Sequence, residues 1–346
     1  MTISRRSFLA LGAGSALALA TDATAWSRLL AAAPAADWSR GPSAPWGLQE
    51  VYATVRDGEI VVAGGLRSGP DSRTRFETLA ETAVLDPEAG AWRTGPDLPA
   101  PRHHLVLAAA GGTVYGFGGF VGESLRGGFR FRDDVFALEG GAWSRRARMP
   151  RRLGETVAAR VGGRIHLVTG SLHPEDGAGG ETGAHLVYDP ATDDWAEARP
   201  APTPRSSAAG AVLDGAIYVA GGRRRRGGFR NLAALERYDP SADRWEELRP
   251  LPEPSAGHAA AAVDGLLCCF GGERLGRRNP GVIGSARVYD PETDRWRELP
   301  PMPTPRHGLA AAAVDGRVYA VGGNTAPAVG AASSGVVEVL AVRGVA

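Results

Sequence analysis

The residues from Gly257 to Trp296, GHAAAAVDGLLCCFGGERLGRRNPGVIGSARVYDPETDRW, contain four short segments with the composition of β-strands. A run of small residues meets Asp264-Gly265, a pair typical of a two-residue hairpin turn, because that turn needs positive φ. The apolar run from Leu266 to Phe270 stops at paired glycines, and two further strands flank the turn from Asp290 to Asp294. Four antiparallel strands in this order predict one small twisted sheet.

The same pattern recurs along the chain with a period near fifty residues. The paired glycines, replaced once by Thr169-Gly170, are separated by 54, 51, 52, 50 and 51 residues. A tryptophan ladder keeps the same intervals, and its members are Trp38, Trp92, Trp143, Trp195, Trp245 and Trp296. Because two independent markers stay in step, the chain is a tandem repeat.

A period near fifty with paired glycines, a Tyr-Asp-Pro turn and a late tryptophan resembles the kelch repeat, in which each copy is one four-stranded blade of a β-propeller. The resemblance implies an all-β, six-bladed propeller over residues 36–346. The strand around Trp38 has no earlier strands with which it could form a blade. We therefore expect this N-terminal strand to close the ring beside Val336 to Val342. The blades are expected near residues 48–97, 102–148, 153–200, 205–250, 255–300 and 306–342, the last completed by 36–40.

The start of the chain predicts an export signal. Arg5-Arg6 and the following Ser-Phe-Leu precede an uncharged stretch up to Ala20, and this resembles a bacterial twin-arginine signal. An ordinary secretory signal is the alternative. We expect a signal peptide at residues 1–25 and a linker at 26–35, with cleavage after Ala25 or, as the second choice, after Ala33. The mature protein is expected in the periplasm or outside the cell, without a transmembrane segment, because no other stretch approaches about 20 apolar residues.

Charge is balanced overall but sorted by position. The 39 basic residues are all arginine and the net charge is +1, which argues against general affinity for polyanions and against a nucleic-acid partner. With blade strands lettered a to d, the a–b and c–d turns form one face of the ring, here called the tight-turn face, and they are rich in aspartate. The b–c loops and the connections between blades form the opposite, long-loop face, and they are rich in arginine.

Arginines that converge around a ring mouth favour an anionic ligand, because guanidinium groups bind carboxylates and phosphates bidentately. The ligand is expected to be a small acidic molecule such as an acidic sugar, a glycan or an acidic peptide, and the protein is expected to be a monomer. The alternative is that these are solvated loop arginines of an arginine-rich composition. The predicted ligand-binding residues are Arg102, Arg126, Arg226, Arg230, Arg277, Arg278 and Arg306.

One register position collects ionisable residues. Seven residues before the a–b turns lie, blade by blade, Glu50, His104, Glu155, Ser207, Gly257 and Gly308. A carboxylate, an imidazole and a second carboxylate at one depth are the parts of an acid–base pair with separated pKa values. The alternative is a polar strand entry without chemistry. His103, His258 and His307 are expected to be framework residues.

Kelch propellers serve unrelated roles, so the fold leaves function open. The first hypothesis is a recognition module for an anionic ligand. The second is a mutarotase resembling the exported kelch-type N-acetylneuraminate epimerases. That resemblance implies a Glu after the paired glycines and an Arg a few residues on, which Glu273 with Arg277 and Arg278 match most nearly. The register position supplies Glu155 and His104, and the resemblance adds Glu273, as the candidate catalytic residues.

A copper oxidase like galactose oxidase is disfavoured. That family needs copper-binding Tyr and His and a Cys-linked Tyr, whereas the b–c loops contain no Tyr. Cys268 and Cys269 fall within one predicted strand and are expected to be two small core residues. No metal or other cofactor is expected.

Overall fold

The structure is a computed structural model that describes residues 35–68, 76–122, 128–177, 179–275, 280–328 and 332–343. The predicted signal peptide and all but the last residue of the predicted linker lie outside these ranges. Within these ranges, one turn of 3₁₀ helix, Pro174–Asp176, accompanies an architecture of β-strands and loops. Within the described residues, no helix has the length and apolar character needed to cross a lipid bilayer.

The strands run in chain order from β1 to β33. They are β1 (Ala35–Arg40), β2 (Ala53–Arg56), β3 (Glu59–Ala63), β4 (Leu66–Ser68), β5 (Phe76–Thr78), β6 (Thr82–Asp86), β7 (Ala91–Thr94), β8 (Val106–Ala110), β9 (Thr113–Phe117), β10 (Phe120–Val121), β11 (Arg130–Phe131), β12 (Val135–Glu139), β13 (Ala142–Arg146), β14 (Leu153–Gly154), β15 (Val157–Val161), β16 (Arg164–Leu172), β17 (Gly180–Asp189), β18 (Asp194–Glu197), β19 (Ala209–Leu213), β20 (Ala216–Ala220), β21 (Arg223–Arg224), β22 (Arg230–Asn231), β23 (Leu235–Asp239), β24 (Arg244–Leu248), β25 (Ala259–Val263), β26 (Leu266–Phe270), β27 (Glu273–Arg274), β28 (Gly281–Val282), β29 (Ala286–Asp290), β30 (Arg295–Leu299), β31 (Ala310–Val314), β32 (Arg317–Val321) and β33 (Val337–Arg343).

These strands form six antiparallel blades, which confirms the predicted six-bladed propeller. Blade 1 is β2-β3-β6-β7, blade 2 is β8-β9-β12-β13, blade 3 is β15-β16-β17-β18, blade 4 is β19-β20-β23-β24, blade 5 is β25-β26-β29-β30 and blade 6 is β31-β32-β33-β1. Short two-stranded hairpins, β4-β5, β10-β11, β21-β22 and β27-β28, extend the b–c loops of blades 1, 2, 4 and 5.

The N-terminal strand closes the ring, as the sequence predicts. β1 pairs with β33 over six residues, with Trp38 opposite Leu340. The Trp38 indole donates a hydrogen bond of 2.8 Å to the carbonyl of Pro300 in blade 5, which ties the closing strand to the preceding blade. β1 thereby covers the edge that β33 would otherwise leave unpaired.

The tryptophans of the ladder form the same hydrogen bond at each junction between blades. Each indole N–H donates to a backbone carbonyl of the preceding blade's exit: Trp92 to Pro42 (2.8 Å), Trp143 to Pro96 (3.0 Å), Trp195 to Ala147 (3.2 Å), Trp245 to Arg199 (2.8 Å) and Trp296 to Arg249 (2.9 Å). Each of these indoles is partly buried, and its N–H finds its partner in the neighbouring blade, so the spacing of the ladder follows the geometry of the ring.

The apolar core lies between the blades. It divides into six clusters, each built from residues of two neighbouring blades. Cys268 belongs to the cluster between blades 5 and 6 and Cys269 to the cluster between blades 4 and 5, because successive strand residues point to opposite faces. Both thiols are buried and free, as expected for small core residues.

Candidate functional site

A ring of strained backbone marks the inner end of the long-loop face. Glu50, His104, Glu155, Ser207, Gly257 and Gly308 all have positive φ, at 51, 52, 55, 51, 62 and 59°. Backbone hydrogen bonds connect these positions in consecutive blades, for example from the His104 N–H to the Glu50 carbonyl (3.0 Å) and from the Gly308 N–H to the Gly257 carbonyl (2.9 Å).

Four of these six positions carry side chains in a conformation that costs about 1 kcal/mol or more without glycine. The other two positions hold glycine, and a side chain at either one would crowd a charged group of another blade. A Cβ on Gly308 would lie 2.9 Å from the carboxylate carbon of Glu50, and one on Gly257 would lie 3.3 Å from the Arg223 guanidinium. Blades 5 and 6 therefore make room for charged groups that other blades supply.

His104 lies between two carboxylates. Its Nε2 is 2.9 Å from Glu50 Oε2 and 3.9 Å from Glu155 Oε1, and its Nδ1 is 2.7 Å from Nδ1 of His103. The side chains of Glu50, His104 and Glu155 are 12%, 4% and 7% exposed. The register of the sequence thus brings these three residues together at one depth.

Glu155 is held by three donors. Ser171 and Ser207 each donate from Oγ at 2.8 Å, and Arg225 donates from its guanidinium. Burial alone would raise the pKa of the Glu155 carboxyl, but Arg225, His104 and Arg223 outweigh it and lower that pKa to about 2. Both Glu155 and Glu50 are therefore ionised at neutral pH. For Glu50, burial likewise opposes a lowered pKa, and His104 and His307 overcome it.

Glu273 reaches the same ring from blade 5. Its Oε1 accepts from Arg223 at 2.9 Å and lies 3.5 Å from His307 Nδ1, and its Oε2 accepts from the backbone N–H of Ala328 at 2.9 Å. His307 Nδ1 is also 3.9 Å from Glu50 Oε1, which links the two groups. We call this set the mouth cluster; its members are Glu50, His104, Glu155, Ser207, Arg223, Arg225, Glu273 and His307.

Sequence reasoning did not single out Arg223 and Arg225. They belong to a run of four arginines, in which successive residues of a strand point to opposite sides and residues two apart share a side. Arg223 turns inward to Glu273 and is buried, whereas the half-exposed Arg225 crosses to Glu155 of blade 3. The run of arginines was the available signal, but only the fold shows which members point to the mouth.

The space inside the ring is small. A cavity of about 20 Å³ lies at the level of the ring and is lined by Glu50, Tyr52, His104 and Ser207. A second cavity of about 90 Å³ lies among the inner strands. Because a cavity of about 150 Å³ is needed to hold a benzene molecule, neither accommodates a sugar ring in this conformation. A ligand of that size or larger would rest on the long-loop face, above the mouth cluster.

The predicted ligand-binding arginines separate into three groups. Arg126, Arg277 and Arg278 lie outside the described residues. Arg226 and Arg230 are exposed, and neither has an ion-pair partner among the residues that the structure describes. Arg102 and Arg306 are buried, so the prediction that they bind a ligand is wrong for these two.

Arg102 and Arg306 are buried between the blades and do not reach the surface. Arg102 is 2% exposed and pairs with Asp134. Arg306 donates to Glu338 at 2.5 Å and to the carbonyls of Gly322 and Ala320 at 2.6 and 3.0 Å. Their guanidinium groups satisfy buried carboxylates and carbonyls, so these residues hold the framework and are not ligand contacts.

Comparisons with known proteins agree with the architecture. Residues 145–323 match the family described as the KLHDC2/KLHL20/DRC7 Kelch-repeats domain. The chain is 29% identical over 277 residues to Kelch repeat and BTB domain-containing protein 12 of Danio rerio, covering 76% of this chain and 36% of that protein. It is 34% identical over 284 residues to human Kelch-like protein 35, covering 75% of this chain and 44% of that protein.

The chain thus spans less than half the length of these two relatives. A solved structure, described as the structure of YjhT, superimposes with a TM-score of 0.71 over 86% of this chain and 95% of that one. At 17% sequence identity this likeness concerns the fold alone.

Proposed function

The chain belongs to the kelch-repeat β-propeller family, and we propose that it is a recognition module that binds an anionic ligand on its long-loop face. A kelch propeller points to a recognition or protein-binding role. What the proposal adds is the charge of the ligand and the face that receives it. The hairpin formed by residues 223–231 of blade 4, called the blade-4 hairpin below, carries the proposal.

The observation that supports it is a set of three arginines, Arg224, Arg226 and Arg230, that have no ion-pair partner among the residues that the structure describes. Arg224 and Arg230 lie directly opposite one another across the blade-4 hairpin, and Arg226 at its turn is exposed. Like charges that face one another across a strand pair are destabilising. No Asp or Glu occurs between residues 223 and 231 to relieve this repulsion. A bound carboxylate or phosphate would relieve it.

We expect the double substitution Arg226→Ala and Arg230→Ala to weaken binding of an acidic ligand by about a hundredfold or more, since charge-assisted contacts contribute about 1.5–3 kcal/mol each. Binding is measured by titration calorimetry with N-acetylneuraminate, polygalacturonate and a polyglutamate peptide. The matched control is Arg244→Ala with Arg295→Ala, which removes the same charge from exposed positions on the tight-turn face. Equal affinities in the wild type and both variants for every acidic ligand that binds would refute the proposal.

A second candidate is a mutarotase of an acidic sugar, favoured by the position of His104 between Glu50 and Glu155. Opening a cyclic hemiketal requires that the anomeric hydroxyl lose a proton while the ring C–O bond breaks and the ring oxygen gains one. In a conformation whose mouth is wide enough to admit the sugar, an ionised Glu50 is suited to accept the first proton, and His104, 2.9 Å away, to supply the second.

If this candidate is right, Glu50→Gln is expected to reduce the rate of anomer interconversion of N-acetylneuraminate by about 10² or more and to leave its binding intact. The amide keeps the shape of the carboxyl and cannot accept the proton. NMR exchange spectroscopy measures the rate, and calorimetry measures the affinity. A variant that retains the wild-type rate would exclude Glu50 as the base.

We also propose that the protein is exported in the folded state by the twin-arginine route to the periplasm or beyond. The sequence Arg5-Arg6-Ser7-Phe8-Leu9 supports this. Arg5→Lys with Arg6→Lys is expected to leave the protein in the cytoplasm, as cell fractionation would show. Undiminished export of this variant would instead indicate the general secretory route.

A further inference from the structure

Phe229 is the one large hydrophobic side chain that stands exposed among the described residues, with 51% of its surface in solvent. It lies at the end of the blade-4 hairpin, between Gly228 and Arg230. All residues from 224 to 230 are exposed, so the hairpin projects from the long-loop face. An isolated exposed phenyl ring on a projecting hairpin is a candidate contact residue.

The chain contains an internal control for this exposure. The sequence Arg-Gly-Gly-Phe-Arg occurs twice, at residues 126–130 of blade 2 and at 226–230 of blade 4. In blade 2 the phenyl ring is covered: Phe129 lies 4.5 Å from His103, 5.6 Å from Phe120 and 5.9 Å from Phe76, measured between ring centroids. The motif therefore does not require an exposed phenylalanine, and the uncovered Phe229 needs another explanation.

The surroundings of Phe229 are positively charged. Arg224, Arg226 and Arg230 are exposed on the same hairpin, and Arg225 is turned away toward Glu155 in the mouth cluster. The hairpin thus presents one apolar ring within a group of cations. Aromatic rings with adjacent Lys or Arg are the combination that binds the interface of an anionic bilayer, where the ring enters the headgroup layer and the cations meet lipid phosphates.

We propose that the blade-4 hairpin docks on an anionic lipid bilayer, with Phe229 inserted between headgroups and Arg224, Arg226 and Arg230 against lipid phosphates. This inference rests on the proposed function, because it identifies the anionic ligand as phosphate displayed on a bilayer. A soluble polyanion would use the arginines and leave the phenyl ring in water. A bilayer uses both, and its deformable surface receives a projecting ring without a preformed pocket.

The contact is expected to be weak and reversible. Each arginine near an anionic surface strengthens partitioning about fivefold, and the attraction decays with distance from the surface over about 8 Å at physiological ionic strength. Because Arg225 fastens the hairpin to Glu155, docking would direct the mouth cluster toward the membrane.

Cosedimentation of the full chain with vesicles tests the proposal. The wild type is expected to bind phosphatidylglycerol–phosphatidylcholine vesicles and to ignore pure phosphatidylcholine. Phe229→Ser is expected to reduce this binding about tenfold, while its melting temperature and its binding to soluble polygalacturonate stay unchanged. Arg226→Ala with Arg230→Ala is expected to reduce binding to both the vesicles and the polyanion. In Phe229→Trp, the added indole emission is expected to shift to the blue only with anionic vesicles.

The outcomes separate the two proposals. Vesicle binding that is unaffected by Phe229→Ser overturns the docking proposal, and the anionic-ligand function survives if the double arginine variant still loses polyanion binding. Binding of polyglutamate that depends on Phe229, without vesicle binding, assigns the hairpin to an acidic peptide and also overturns docking. Loss of vesicle binding in Phe229→Ser alone, with polyanion binding retained, supports it.

Discussion

A chain that begins after Arg40 is expected to melt about 10 °C or more below a chain that begins at Pro34, and to form oligomers. The deletion removes β1, its six-residue pairing with β33 and the Trp38 indole that binds the Pro300 carbonyl. Several backbone hydrogen bonds at about 1 kcal/mol each and the burial of one Trp give a loss of about 5 kcal/mol. In a chain of this size each kcal/mol lowers the melting temperature by about 2 °C.

Oligomers are expected because the deletion uncovers the edge of β33, and an unpaired edge is a template for another chain. Calorimetry measures the melting temperature, and light scattering measures the mass. Trp38→Phe is the intermediate control: it keeps the strand and removes only the hydrogen bond, so it is expected to cost about 1–2 kcal/mol without oligomers. If the truncated chain were as stable and as monomeric as the chain from Pro34, closure by β1 would contribute nothing to the ring.

His258→Leu is expected to raise the free energy of unfolding by about 2 kcal/mol at pH 7.5 and by about 4 kcal/mol at pH 5. The imidazole of His258 is buried, and neither ring nitrogen has a hydrogen-bond partner among the described residues. The same repeat position holds Leu105 in blade 2 and Leu309 in blade 6, both buried, so leucine suits this site between blades. The substitution removes the cost of an unsatisfied buried polar group.

The pH dependence follows from the pKa of His258. Burial, reinforced by Arg287, Arg205 and Arg223, lowers this pKa from its ordinary 6.5 to about 3. Between these values the unfolded chain binds a proton that the folded protein excludes, so stability falls as the pH decreases, by about 1.4 kcal/mol per unit. Leucine abolishes this part of the acid sensitivity.

Urea denaturation at both pH values measures the difference from the wild type. The comparison variant is His173→Leu at a partly exposed position, which removes the hydrogen bond that the Glu175 N–H donates to the His173 ring and is therefore expected to lower the free energy of unfolding, by about 1 kcal/mol at pH 7.5. A stabilisation by His258→Leu that is the same at pH 5 and pH 7.5 would show that His258 is not held neutral in the folded protein.

Most of the fold could be predicted from the repeat period, because the four strands of a blade and its turn residues lie within one copy of the repeat, and the tryptophan marks each copy. Register within the repeat also placed Glu50, His104 and Glu155 at one depth. Ion pairs between residues that are distant in sequence could not be predicted from the period. Arg306 precedes a strand and resembles a loop arginine, and its partner Glu338 lies 32 residues away.

Side-chain environment was equally hidden. Arg223 and Arg225 occur in one run of arginines, but they contact Glu273 and Glu155 in different blades. Phe129 and Phe229 share the same local sequence, and only neighbouring aromatic residues, present beside the first, decide which ring is covered. Local patterns specify backbone, whereas these environments depend on residues distant in sequence.

Closure of the ring by β1 also sets an order of events in folding. Within a blade, paired strands follow one another along the chain, but the bond between Ser39 and Val339 joins residues 300 apart. Contacts of such separation form slowly because a long loop must be ordered first. Individual blades are therefore expected to assemble early. The pairing of β1 with β33, which closes the ring, is expected to be the late step.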